Sequence, residues 1–166
     1  MPNHCHNRVS FYSEDTTSIL KLHKIFSIAN NQDDDRSVFG QFVPEPNWQE
    51  VPLAESQLKE YSFSSARGEV GELPVKSEDK MRGLVFPSTG QIDDRWYAWR
   101  NQNWGTKWDC YEVEIDDSEM PYGFEVTFDT AWAPPEEIHS AIQEQFDDLS
   151  MSWFWDEPGC EEAGYL

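Results

Sequence analysis

The chain has 166 residues, 38% hydrophobic and 14% aromatic with 8 Trp and 10 Phe, enough large apolar side chain for one packed domain and too much for a disordered acidic chain. Its formal charge is −20, from 32 acidic and 12 basic residues; no Lys or Arg follows Lys107, while 17 of the 32 acids lie between Trp108 and Leu166. Such a half lacks the cations that phosphate contacts need, which disfavours direct binding of DNA or RNA, and no run approaches the roughly 20 apolar residues of a membrane span.

The opening Met1-Pro2-Asn3-His4-Cys5-His6 has no basic region followed by an apolar run, so no secretion signal is expected. Cys5, Cys110 and Cys160 are odd in number and widely spaced, which favours the cytoplasm over a disulfide framework. Residues 5–12 read as a strand with Val9 and Phe11 on one face. His4, Cys5 and His6 alternate faces there and do not converge. No Cys-x-x-Cys or His-Glu-x-x-His occurs, so no metal site is expected. Ser13 or Asp15 can cap a helix running to about Ala29, with Ile19, Leu22, Ile25 and Phe26 on one stripe. His23 and His139 read as boundary residues beside helix stripes. After a polar turn, residues 37–43 read as a second strand burying Val38, Phe39 and Phe42.

Residues 44–90 hold five prolines and four glycines and read as a long irregular insertion, with a short helix over 53–61. A helix is expected over 92–103, with Ile92, Trp96 and Trp99 on one stripe and Gly105 at its end. Tyr111, Val113 and Ile115 alternate with Glu112 and Glu114. Tyr122, Phe124, Val126 and Phe128 alternate with Glu125, Thr127 and Asp129. The two runs read as an antiparallel hairpin. Pro134-Pro135 opens a helix to about Leu149, with Ile138, Ala141, Ile142, Phe146 and Leu149 inward. Residues 151–156 read as a last strand. The order is an α+β, ferredoxin-like split β-α-β sandwich, a single domain over 1–166 with the 44–90 insertion and an extra aromatic helix. Its helices cover one sheet face and leave the other open. No internal repeat is visible.

Two segments carry a family resemblance: the start Met1-Pro2-Asn3, and the block Trp96 to Asp109 with its Asn103-Trp104-Gly105-Thr106-Lys107-Trp108 core, followed by Trp132-Ala133-Pro134-Pro135. Together they resemble the YubB-type ferredoxin-like domain family carried by phages and plasmids, in which Trp often stands at the position of His4. The resemblance implies a mobile-element origin, the ferredoxin-like plan and an intracellular place of action, with no established catalysis.

No nucleophile elbow, phosphate loop or Ser/Cys–His arrangement is present, so neither an enzyme nor a cofactor is expected. The block 96–109 reads as a core anchor. The expected partner-binding surface is acidic. With Tyr111, Val113 and Ile115 inward, Glu112, Glu114, Asp116 and the adjoining Asp117 project outward, joined by Glu125 and Asp129. On the last helix Glu136, Glu137, Glu144, Asp147 and Asp148 point away from the apolar stripe. The function this suggests is a non-enzymatic acidic binding protein of a phage or plasmid. It would inhibit a basic, nucleic-acid-binding host defence protein by presenting DNA-like charge. The alternative is a nucleic-acid-binding regulator using Arg95, Arg100, Lys107 and neighbouring Trp. No membrane is expected as partner, and an open sheet of this plan can pair with a second copy.

Overall fold

A computed structural model of the chain describes residues 3–58, 73–78, 83–87 and 90–166. In chain order the elements are β1 (His4–Tyr12), α1 (Thr16–Phe26), a 3-10 turn (Ser27–Asn30), α2 (Phe39–Phe42), β2 (Val75–Lys76), β3 (Leu84–Val85), α3 (Arg95–Asn103), β4 (Tyr111–Asp116), β5 (Gly123–Ala131), α4 (Glu136–Gln145), β6 (Ser150–Glu157) and β7 (Glu162–Tyr165). The chain divides into two units, one of residues 1–44 with 100–166, the other of residues 45–99.

The first unit is built on a five-stranded sheet ordered β4-β5-β1-β6-β7, antiparallel throughout. Without β7 this is the ferredoxin-like order: each split β-α-β unit leaves a gap that a third, antiparallel strand fills. β1 alternates perfectly, with Cys5, Asn7, Val9 and Phe11 buried and His4, His6, Arg8, Ser10 and Tyr12 exposed. The buried row faces α1 and α4. Ile19, Leu22 and Phe26 of α1 meet Ile138 and Ile142 of α4 in a core with Phe124, Val126, Phe128 and Trp153. The Trp153 indole donates to Asn7 Oδ1 at 3.0 Å, so a polar group in the core is satisfied. Asp15 caps α1 by accepting from the Thr17 amide, as its position before the apolar stripe predicts.

Several expected elements take another form. Residues 37–43 form the helical turn α2, not a strand. Ser37 Oγ accepts from the Gly40 amide at 2.9 Å, and the Asp109 carboxylate accepts from the Val38 and Phe39 amides at 2.8 and 3.0 Å. Those bonds satisfy the donors that a helix start leaves open. Val38, Phe39 and Phe42 are still buried. α4 stops at Gln145, four residues short of Leu149, and Phe146 is its buried cap. Tyr122 lies outside β5 and is exposed. β7 adds a fifth strand where none was expected.

Of the block 96–109 expected as a core anchor, only the part around Trp104 is one. Trp104 is 1% exposed, and its indole donates to the Val43 carbonyl at 2.9 Å. Thr106 donates to the Ala131 carbonyl at 2.9 Å and is buried. Gly105 sits at φ +80, and a Cβ there would lie 2.9 Å from the Glu136 amide nitrogen. Glycine therefore lets this loop close against the start of α4.

The second unit has its own small apolar cluster of Leu53, Leu84 and Phe86, with Leu58 against it. β2 and β3 pair as a two-stranded ribbon. Residues 55–58 are helical; Leu53 and Ala54, within the helix expected over 53–61, are not, and residues 59–61 lie outside the described residues. Ile92 bridges to Val85 instead of entering α3, which begins at Arg95. The Arg95 guanidinium is held by Asp93 at 2.7 Å and by the carbonyls of Trp48, Val51 and Pro52, and it lies over the Trp48 ring. It is a structural cation with a 9% exposed side chain. Trp96 and Trp99 are only half-buried, because no position of α3 reaches a core.

Candidate partner-binding face

The face of the sheet turned away from α1 and α4 carries the candidate site, and strand register arranges it in rows. In one row Tyr111, Asp129, His6 and Asp156 lie side by side across β4, β5, β1 and β6. In the next come Glu114, Thr127, Arg8, Phe154 and Tyr165. A third holds Asp116, Glu125, Ser10 and Ser152. Alternation along each strand puts these side chains on one surface.

The expected acids divide between two surfaces. Glu114, Asp116, Glu125 and Asp129 lie on the open face. Glu112 joins them, lining a depression of about 320 Å³ with His6, Arg8, Thr127, Phe154 and Asp156. Asp117 lies in the turn after β4 and bonds His23 at 2.7 Å. Glu136, Glu137 and Glu144 are on α4, with Asp147 and Asp148 just beyond it, in the helical layer on the opposite side. One flat partner surface cannot cover both sets.

A second correction concerns β4. Its register shifts between Tyr111 and Glu114, and Glu112 takes φ +52 there. The bulge adds a residue and re-aims its neighbour. Tyr111, expected in the core, therefore stands opposite Asp129 on the open face, while Val113 and Ile115 stay inward. The Tyr111 hydroxyl is 2.8 Å from His4 Nδ1 and 3.3 Å from the Thr130 carbonyl oxygen to which it donates. Partial burial and then the Asp129 charge push its pKa up, so it is a neutral phenol at physiological pH.

The carboxylates of this face have histidine, hydroxyl and amide neighbours. Asp129 is 2.6 Å from His6 Nδ1, and its other oxygen lies 3.7 Å from His4 Nδ1. Glu125 accepts from Ser10 at 3.0 Å. Asp116 accepts from the Ser118 amide, which holds its pKa below the usual carboxylate value. Glu125 stands directly opposite Asp116 in the β4–β5 ladder, a pairing of like charges that costs stability. Among the described residues, none of the eleven expected acids is ion-paired to Lys or Arg. Pairs that Lys and Arg make among the described residues include Arg36–Asp34, Lys76–Glu50 and Arg95–Asp93.

The arrangement can do three things chemically. Its carboxylates can receive cations, its exposed rings can stack, and the His6 imidazole, oriented by Asp129 beside Arg8, can hold or relay a proton. Thiol chemistry does not fit. Burial pushes the Cys5 thiol up to about 11 and Cys110 higher than usual, and the neighbouring Glu157 raises exposed Cys160, so none is a ready thiolate.

The sequence reading put Lys107 and Trp108 in a core anchor and did not place Trp132, and so missed that they meet at the end of this face. Trp108 and Trp132 are 38% and 53% exposed. Lys107 Nζ lies 4.4 Å from the first ring centre and 6.0 Å from the second. The Trp108 and Tyr111 rings meet at 6.4 Å, and Tyr111 and His4 at 5.7 Å. The available signal was that Trp132 follows a strand ending in Ala131 and precedes Pro134-Pro135, where a large ring has little core to enter.

The family comparison agrees with the fold of the C-terminal stretch. A family model described as the ferredoxin-like domain in Api92-like protein matches residues 107–166, the stretch from the Lys107 loop through β7. A crystal structure of a protein api92 from Yersinia pseudotuberculosis aligns over 99% of this chain and 93% of that one, at 9% identity and a TM-score of 0.49. No curated protein matches the chain.

Proposed function

We propose that this chain is a non-enzymatic binding protein whose open sheet face docks, through its carboxylates, on a basic protein surface that otherwise receives nucleic-acid phosphate. One observation carries the reading. The open-face acids Glu112, Glu114, Asp116, Glu125 and Asp129 stand on adjacent strands, and none is ion-paired to Lys or Arg among the described residues. Keeping Asp116 opposite Glu125 costs the fold stability. A basic partner would relieve that repulsion on binding. Cross-strand neighbours stand about 5 Å apart, coarser than the one charge per roughly 1.7 Å of duplex DNA. The face would thus imitate the sign of a phosphate track more than its density. The resemblance to the YubB-type family suggests a phage or plasmid product acting inside a host cell, with a host defence protein as the natural target.

The acids of the helical layer serve as an internal control. In a pull-down from host lysate at low salt, reversing Glu112, Glu114 and Glu125 to Lys should abolish capture. Reversing Glu136, Glu137 and Glu144 should leave it. Elution should follow rising salt, because attraction at this range is screened over about 10 Å at 0.1 M. Capture that survives the first triple substitution would end the reading. The nucleic-acid alternative, which draws on Arg95, Arg100, Lys107 and neighbouring Trp, gains Arg8 on the open face, but Arg95 is already committed to Asp93.

A further inference from the structure

We propose that Trp108 and Trp132 form a seat for an arginine side chain of the partner, which the protein's own Lys107 fills when the partner is absent. The inference rests on the polyanion reading above and names what that partner must carry.

Three observations converge on the seat. The first is strain. Trp132 has φ +75, left-handed backbone that glycine adopts freely and a bulky residue does not. Its amide donates to the Asn3 carbonyl at 3.1 Å, and Thr106 clamps the Ala131 carbonyl just before it, so the chain must turn sharply here. The turn needs glycine. The sequence supplies tryptophan and leaves the residue 53% exposed. A strained residue whose side chain packs so little points to a role in binding.

The second observation is occupancy. Lys107 already lies within cation–π distance of both indoles, so the pair can accept a cation from this side. A guanidinium stacks on an indole through its planar face and is more weakly hydrated than an ammonium, so it should displace the lysine. The third is surroundings. Tyr111 continues the ring row from Trp108, and its cross-strand partner Asp129 places a carboxylate beside it for the partner's remaining donors.

The test uses the full chain with hepta-arginine, hepta-lysine and a single-stranded oligo-dT as probes, followed by calorimetry at low salt. The wild-type chain should bind hepta-arginine about fivefold or more tighter than hepta-lysine, a margin typical of one good stacking contact. Trp108→Ala and Trp132→Gly should each remove that preference while hepta-lysine affinity stays. Trp132→Gly should also keep or raise Tm, which a packing role for the ring would not allow. Lys107→Met should widen the preference by emptying the seat.

Equal affinity for the two peptides, or a preference that survives both Trp substitutions, would overturn the seat and leave the polyanion reading standing. Weaker hepta-arginine binding by Lys107→Met would overturn it as well. Binding of neither peptide would remove both readings. Oligo-dT binding tighter than hepta-arginine would give the rings to nucleic-acid bases instead.

Discussion

The two faces of the five-stranded sheet are made by the same strands, residue by alternate residue, under opposite constraints. On the covered face Val9, Phe11, Val126, Phe128 and Trp153 are each at most 2% exposed, and the polar Asn7 among them is bonded to Trp153 and Thr130. On the open face the neighbouring positions hold His6, Arg8, Glu125 and Asp129, with like charges tolerated side by side. The covered face is organised for stability and the open one is not. Where a fold tolerates repulsion and backbone strain, those features are best explained by what the surface meets.

That contrast can be broken most directly at adjacent residues of β6. Trp153→Ala should cost about 3–5 kcal/mol, the usual range for emptying a large aromatic site, and it leaves Asn7 Oδ1 without its donor. Phe154→Ala, one residue on and half-buried against Arg8 and Tyr165, should cost under about 1 kcal/mol. Urea unfolding of both variants decides it, and equal losses would mean that the open face is structural too. Next in size is the distant cap of α2. Asp109→Ala should cost about 1–2 kcal/mol, with faster hydrogen exchange at the Val38 and Phe39 amides.

A smaller effect follows from His139, whose ring lies edge-on against Trp153. Burial lowers its pKa below the ordinary 6.5, so the unfolded chain binds more protons just beneath that value. Its contribution is complete above pH 6.5 and declines as pH falls through the lowered pKa. A series of thermal melts from pH 7.5 to about 5 should show the decline, and His139→Gln should flatten it. The depressed carboxyls of Asp148 and Glu157 act lower, below their ordinary 3.8 and 4.5. Smallest is Glu125→Gln, which should stabilise by a few tenths of a kcal/mol at low salt by relieving Asp116. No gain there would mean that the like-charge pair is already relaxed by solvent.

What could be read from the residues follows the range of the forces involved. β1, the β4–β5 hairpin, α1 and α4 were legible because their periodicity is written within a dozen residues. α2 was misread because Val38, Phe39 and Phe42 suit either structure, and the cap that decides lies 71 residues away at Asp109. Tyr111 was put inside because a period of two cannot foresee a bulge. β7 went unseen because Glu162-Ala163-Gly164-Tyr165 shows no apolar alternation and exists as a strand only against β6. The outward acids of β4 and β5 were legible. Their separation from those near α4, the His6–Asp129 pair spanning 123 residues and the indole pair at the end of the face were not, since each depends on which strands become neighbours.

β4 and β7 also form the two lateral margins of the sheet, β4 with the 3-10 turn packed against it, and a sheet edge is where a further strand can add. Glu112, Glu114 and Asp116 line one margin, and Glu161 and Glu162 mark the other. A second molecule arriving margin to margin would meet its own sign of charge, which guards against runaway strand addition and fibre growth. Concentrated salt would lift that guard, so any self-association along these margins should rise with ionic strength while capture of a basic partner falls.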